Sequence, residues 1–186
     1  MNKPPQFAMG LTIGKLHIHD LLNPQSAEID LAGVDRNLRN ARRFSNHPDA
    51  LTLAQHQALT GLIAERDGAP EAVIEWAKHH DDHEGITGDM PGPLKAIISW
   101  HTTVLTEIEE GLDKAICARR GVLYPTLETR MKTSYYDKAA ETVEWLYVLM
   151  REPAPWTKPV PNWLNAEMAE ALIDAAIWNS DHSSLH

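Results

Sequence analysis

The sequence predicts an all-α protein, and three observations carry that reading. Apolar residues recur at +3 and +4 through most of the chain, runs of alternating β-branched residues are missing, and proline gathers mostly at the N-terminal stretch and at Pro153 to Pro161. Residues 1–24 read as irregular, with Leu16, Ile18, Leu21 and Leu22 as apolar anchors and Asn23-Pro24 as a turn. A first helix is expected from Ser26, its N-cap, through Ile29, Leu31, Val34 and Leu38 to the basic pair Arg42-Arg43. After a loop at Ser45 to Ala50, a second helix carries Leu51, Leu59, Leu62 and Ile63 and stops at Asp67-Gly68-Ala69-Pro70. A third opens at Pro70, tolerated in a first turn, and runs through Val73, Ile74 and Ala77 to about Glu84. Gly85 to Lys95 is expected to be a loop. A fourth helix is expected over Leu94 to Ala118, a fifth over Leu127 to Met150, and a short C-terminal one over Asn165 to Ile177.

The 186 residues suit one domain, 1–186, with residues 1–24 as an irregular segment and 151–186 as a proline-rich strap and C-terminal helix. A chain of this size buries roughly 70% of its unfolded surface, so it needs neither disulfide nor metal merely to fold. Apolar stretches are only a few residues long, which argues against a membrane span, and no secretion signal is visible at the N-terminus. A single cysteine, Cys117, fits a reducing compartment, so a cytoplasmic protein is expected. With 26 acidic and 17 basic residues, the formal net charge of -9 argues against stable nucleic-acid binding. It leaves open an anionic small substrate held by a few cations in a cleft.

The run Lys78-His79-His80-Asp81-Asp82-His83-Glu84 carries the most chemistry. If the third helix is continuous, Val73, Ala77, His80 and Glu84 share one stripe, and an apolar face turns ionisable at its end. Charge on a core-facing stripe costs several kcal/mol unless it is paired or metal-bound, so these groups ask for a partner. The alternative is a solvated helix end. His56 shares a stripe with Leu59 and Ile63, and Asp137 shares one with Ala140 and Glu144. A lone inward histidine is more often a satisfied core residue than a ligand. Three helices each offering an imidazole or carboxylate to one interior are, however, how helical bundles build metal sites. His and Asp ligands suit Zn, Mn, Co or Fe better than a calcium cage.

These residues resemble the HD-domain metal phosphohydrolases. His80-Asp81-Asp82-His83-Glu84 followed by Thr87-Gly88-Asp89-Met90-Pro91-Gly92-Pro93-Leu94-Lys95 is similar to the His-Asp-x-x-Glu and Gly-Asp-x-Pro-x-Pro-x-Lys block of the 5'-deoxynucleotidase branch and its phage-encoded relatives. Arg43-Phe44, Leu53-Ala54-Gln55-His56, Asp20 to Pro24, and Asp137 with Glu144 resemble further parts of that pattern, so the likeness covers about residues 16–150. The resemblance implies metal ligands at His56, His80, Asp81 and Asp137. His47, after Arg43-Phe44, competes with His56 for the first place; the Ala-Gln-His context and the inward stripe favour His56. His79 and His83 form an i, i+4 pair off the ligand stripe and are expected at the surface or in outer hydrogen bonding.

The resemblance further implies a divalent transition metal (Zn, Mn, Co or Fe), with Mg accompanying the phosphates. Glu84 would orient or deprotonate a water or protonate the leaving group, and Arg43 and Lys95 would neutralise phosphate oxygens. Asp89 would accept a hydrogen bond from a sugar hydroxyl, and Phe44 would pack on the deoxyribose. Solvated helix-end charge is the plain alternative for Arg43 and Lys95, and core packing for Phe44. In length and motif order the chain is similar to phage dATP triphosphohydrolases, which would place it in a host cytoplasm. A 5'-deoxynucleotidase acting on deoxynucleoside monophosphates uses the same ligands. Two further alternatives are a non-catalytic nucleotide-binding regulator and a cyclic-dinucleotide or alarmone hydrolase. The segment with Trp156, Trp163 and Trp178 reads as a packing strap or a contact between copies, so a homo-oligomer is expected.

Overall fold

A computed structural model of the chain describes residues 10–13 and 16–182. Its elements, in order, are β1 (Leu11–Ile13), β2 (Leu16–Ile18), a 3-10 turn (Ser26–Glu28), α1 (Leu31–Asn40), α2 (Arg43–Asn46), α3 (Leu53–Arg66) and α4 (Glu71–Ala77). There follow α5 (Glu84–Thr87), α6 (Gly92–His101), α7 (Val104–Arg120), α8 (Leu127–Val143), a π-helical turn (Glu144–Val148) and α9 (Ala166–His182). The fold is all-α, as the sequence predicts, with one short antiparallel hairpin pairing Leu11 with Ile18. That hairpin lies inside the stretch expected to be irregular; residues 1–9, 14, 15 and 183–186 fall outside the described residues. No helix among the described residues is long and apolar enough to cross a membrane.

Several boundaries differ from the expectation for identifiable reasons. The first helix begins at Leu31 rather than Ser26: Asp30 accepts from the Val34 and Gly33 N–H groups, at 2.9 Å through its carbonyl and 3.2 Å through its carboxylate, and so takes the capping place. Ser26 opens the 3-10 turn instead. The second helix starts at Leu53 because Thr52 and Gln55 form a reciprocal capping box, leaving Leu51 outside it. The third stops at Ala77, and residues 78–83 wind as successive turns before α5 begins at Glu84. The expected loop over Gly85 to Lys95 therefore contains most of α5 and the start of α6. The fourth helix is two, broken at Thr102–Thr103, where both threonines bond locally: Thr102 Oγ1 accepts from Val104 N–H and Thr103 Oγ1 donates to Glu107. The last helix is longer than expected and reaches His182.

The described residues fall into two compact units. One is drawn from Met1–Leu38 and Asp81–Tyr124, the other from Arg39–His80 and Pro125–His186. In the second, α3 packs against α4, α8 and α9 around Leu59, Ile63, Val73, Ala140, Val143, Ala169 and Ile173, all buried. In the first, α5 docks on α1 through Gly85, where a Cβ would come within 2.8 Å of Val34 Cγ1 and 2.9 Å of its carbonyl oxygen. Only glycine permits that approach, and Asn37 fixes it by donating to the Gly85 carbonyl at 2.8 Å. Trp163 serves as packing strap in the second unit, its indole N–H donating to Asp67 at 2.7 Å.

Candidate metal centre

Within the second unit, α3 turns His56 into the core beside Leu59 and Ile63, all three with no exposed surface. Its Nε2 lies 3.2 Å from Asp137 Oδ1, and that same oxygen is 3.6 Å from Nε2 of His80. Two imidazoles from different segments therefore converge on one carboxylate oxygen supplied by α8. The far side of each ring is also engaged. His80 Nδ1 lies 2.8 Å from the Ala77 carbonyl, so it carries a proton and donates. His56 Nδ1 faces Glu144 Oε2 at 3.6 Å. The end of α4 at Ala77 thus has a consequence for the site: the carbonyl left free there orients His80, a task a continuous helix would not have allowed.

Ionisation of Asp137 follows from this geometry. Burial pushes its carboxyl upward, but hydrogen bonds from His56 and His80 together with their charges outweigh it and hold the group well below the usual carboxylate range. Lys138 adds a cation 3.5 Å from Oδ2. The ligand atoms of His56, His80 and Asp137 all lie within 4.8 Å of one another. Ligands on one zinc-sized tetrahedral ion stand about 3.4 Å apart, close to the 3.2 and 3.6 Å separations seen here. The His80 orientation matches the way metal-binding histidines are held, by a carbonyl behind the ring, while Glu144 faces His56 at ion-pair distance only. A divalent metal ion fits this donor set.

The other expected ligands and contacts fall as follows. Asp81 follows His80 directly in the chain and is half-buried. His47 is not in the cluster; its Nδ1 accepts from Asp49 N–H at 3.3 Å and closes its own loop. Arg43 is buried, not a solvated helix end, and its guanidinium meets Glu144 at 3.3 Å and Glu141 at 3.7 Å. Phe44 packs against Trp145 and Trp156, with ring centroids 5.7 and 6.4 Å apart. Phe44, Ser45 and Asn46 are all left-handed (φ 52, 59 and 60°), a strained run of non-glycine residues that the Arg43–Leu51 backbone bond and the Arg42–Thr52 bridge clamp in place.

In the first unit, Glu84 opens α5 and is buried, Asp89 is half-buried beyond it, and the Lys95 ammonium lies 2.9 Å from Glu109. Of the two places expected for His83, surface or outer hydrogen bonding, it takes the second: it is buried, with Nδ1 3.0 Å from Asp113 and Nε2 3.8 Å from Glu109. Burial disfavours its charge, yet the Asp113 hydrogen bond and surrounding carboxylates prevail and raise its pKa to about 9. Asp82 is anchored by Arg120 at 3.0 Å, and the same guanidinium holds Asp35 at 2.5 Å. Asp81, His83 and Glu84 also offer ligand atoms within 4.8 Å of one another.

Four participants escaped sequence reasoning as site residues. Glu144 was legible as inward-facing, but its partners, the Leu51 N–H at 2.8 Å, Arg43 and His56, come from far along the chain. Asp113 and Glu109 sit one turn apart on α7 as an acidic pair among apolar residues, a pattern that signals a buried partner without naming His83. Lys138 is flanked by Asp137 and Glu141 and reads as an ordinary helix cation. No family model matches the chain, and no curated protein sequence matches it.

Proposed function

We propose that this chain is a metal-dependent phosphohydrolase of the HD-domain type acting on deoxynucleotides, with dNTP, best dATP, hydrolysed to deoxynucleoside and triphosphate. The observation that carries this reading is the convergence of His56 and His80 Nε2 on Asp137 Oδ1, with the His80 ring held from behind by the Ala77 carbonyl. In the proposal His56, His80 and Asp137 hold the ion, Zn, Mn, Co or Fe, and Asp81, peptide neighbour of His80, is the fourth ligand. A bound divalent ion supplies Lewis-acid chemistry, polarising a phosphoryl oxygen and acidifying water near neutral pH.

The remaining roles belong to the chain. The Glu84 carboxylate takes a proton from the attacking water or returns one to the leaving oxygen. Lys95 exchanges Glu109 for a phosphate oxygen, and Arg43, set between Glu141 and Glu144, presents its fork to another. Phe44, fixed in its strained turn, packs on the deoxyribose, and Asp89 accepts from a sugar hydroxyl. Magnesium would accompany the phosphates. The protein acts in the cytoplasm, that of a host if phage-encoded, and as a homo-oligomer.

The test is product analysis by ion-exchange chromatography after incubation with Mn, Co or Mg and a panel of deoxynucleotides and ribonucleotides. Inorganic triphosphate with deoxyadenosine is the expected result. Orthophosphate from deoxynucleoside monophosphates would make it a 5'-deoxynucleotidase. Nucleotide binding without products would reduce it to a regulator and overturn the enzymatic reading.

A further inference from the structure

Helix α6 (Gly92–His101) is apolar yet contains no buried residue. Leu94, Ile97 and Trp100 follow one another at +3 and are 48%, 61% and 87% exposed, with Val104 at the start of α7 adding 45%. A ten-residue helix is marginal in water by its own propensity and is ordinarily held by burying a face. We propose that α6 is the face through which two copies of this chain associate, as an isologous helix pair centred on Ile97 and Trp100.

Area and charge point to a second copy as the occupant. These four side chains leave on the order of 500 Å² per copy, so a pair would cover about 1,000 Å², the area at which specific interfaces begin. The chain carries a formal charge of -9, so two copies repel over much of their surface. The α6 face escapes that repulsion. It bears no carboxylate, and its one formally charged side chain, Lys95, is turned to Glu109 of α7 at 2.9 Å. A charged partner finds nothing there to pair with, and the acidic Glu107, Glu109 and Glu110 of α7 disfavour an anionic membrane. A twofold axis brings the same uncharged patch to itself, and exposed tryptophan is the residue most enriched where binding energy concentrates. The inference does not depend on the phosphohydrolase reading.

The test is sedimentation velocity of the full chain at micromolar concentrations, comparing wild type, Trp100→Glu and Trp178→Glu, with circular dichroism as the folding check. Wild type and Trp178→Glu should dimerise, and Trp100→Glu should be a folded monomer, its dissociation constant raised about thirtyfold or more. Should Trp100→Glu fail to fold, Ile97→Cys decides: mild oxidation should give an SDS-stable dimer, since the native Cys117 is buried. A monomeric wild type, a dimer that survives Trp100→Glu, one lost on Trp178→Glu instead, or a wild type whose tryptophan emission shifts on phosphatidylcholine vesicles while that of Trp100→Glu does not would each overturn it.

Discussion

Each unit of the molecule buries histidine against aspartate, and the two arrangements differ in stoichiometry. In the second unit two imidazoles share one oxygen of Asp137, and Glu144 stands behind His56. In the first unit one imidazole, His83, lies between two carboxylates, Asp113 and Glu109, with Lys95 completing the balance. Two imidazoles converging on one carboxylate oxygen keep Asp137 ionised, which suits a ligand set. Excess carboxylate does the reverse, holding a proton on His83 and making a buried ion pair. The same two residue types thus give a candidate metal site or a salt bridge according to which of them is shared.

The sharpest way to break this contrast is to remove the shared carboxylate. Asp137→Ala, or His80→Ala, should abolish metal content and lower turnover by about 10³-fold or more, and a chelator should do the same to the wild type. Retained activity in either variant would dissolve the distinction. Glu84→Ala comes next: the metal should stay, measured by mass spectrometry of the bound ion, while turnover falls by about 10² to 10⁴. A near-normal rate would remove Glu84 from the proposed mechanism. Glu144→Gln should act through His56, weakening metal affinity about 10- to 100-fold in a competition titration with a chromophoric chelator.

The remaining contrast belongs to the first unit and reads stability rather than metal. His83 has its folded pKa raised to about 9 by Asp113, with Glu109, Asp81 and Glu84 as the other facing acids and Lys95 paired to Glu109. A raised cationic pKa stabilises fully below the unfolded value of about 6.5 and is lost as pH climbs to about 9, a change of about 3 kcal/mol at most. Urea unfolding should show that decline in the wild type and a flatter profile in Asp113→Asn. An unchanged slope would mean that His83 is neutral at physiological pH.

Much of the second unit was legible because its signals are local. The spacing of His56 with Leu59 and Ile63, and of Asp137 with Glu144, already orients those side chains inward, and the helices that carry them are long enough to make the period plain. Residues 78–83 were not legible in the same way. Lys-His-His-Asp-Asp-His contains no apolar residue, so periodicity cannot tell a continuing helix from turns. What bends the chain there is tertiary: Arg120 on Asp82, Asp113 on His83, and Gly85 against α1. A continuing helix would carry His80 on the Val73 stripe, whereas the chain turns there and the Ala77 carbonyl orients the ring. For His83 the choice between surface and outer hydrogen bonding could not be made from the sequence, because its partners Asp113 and Glu109 lie on α7, far beyond the window in which a pattern can be read.

The most direct test of the ligand-set reading is metal analysis of the full chain purified without chelator and then equilibrated with Zn, Mn, Co or Fe, alongside His56→Ala. About one tightly held ion per wild-type chain and none in His56→Ala is the predicted result. A wild type that retains no transition metal, or a His56→Ala protein that retains as much as wild type, would contradict it.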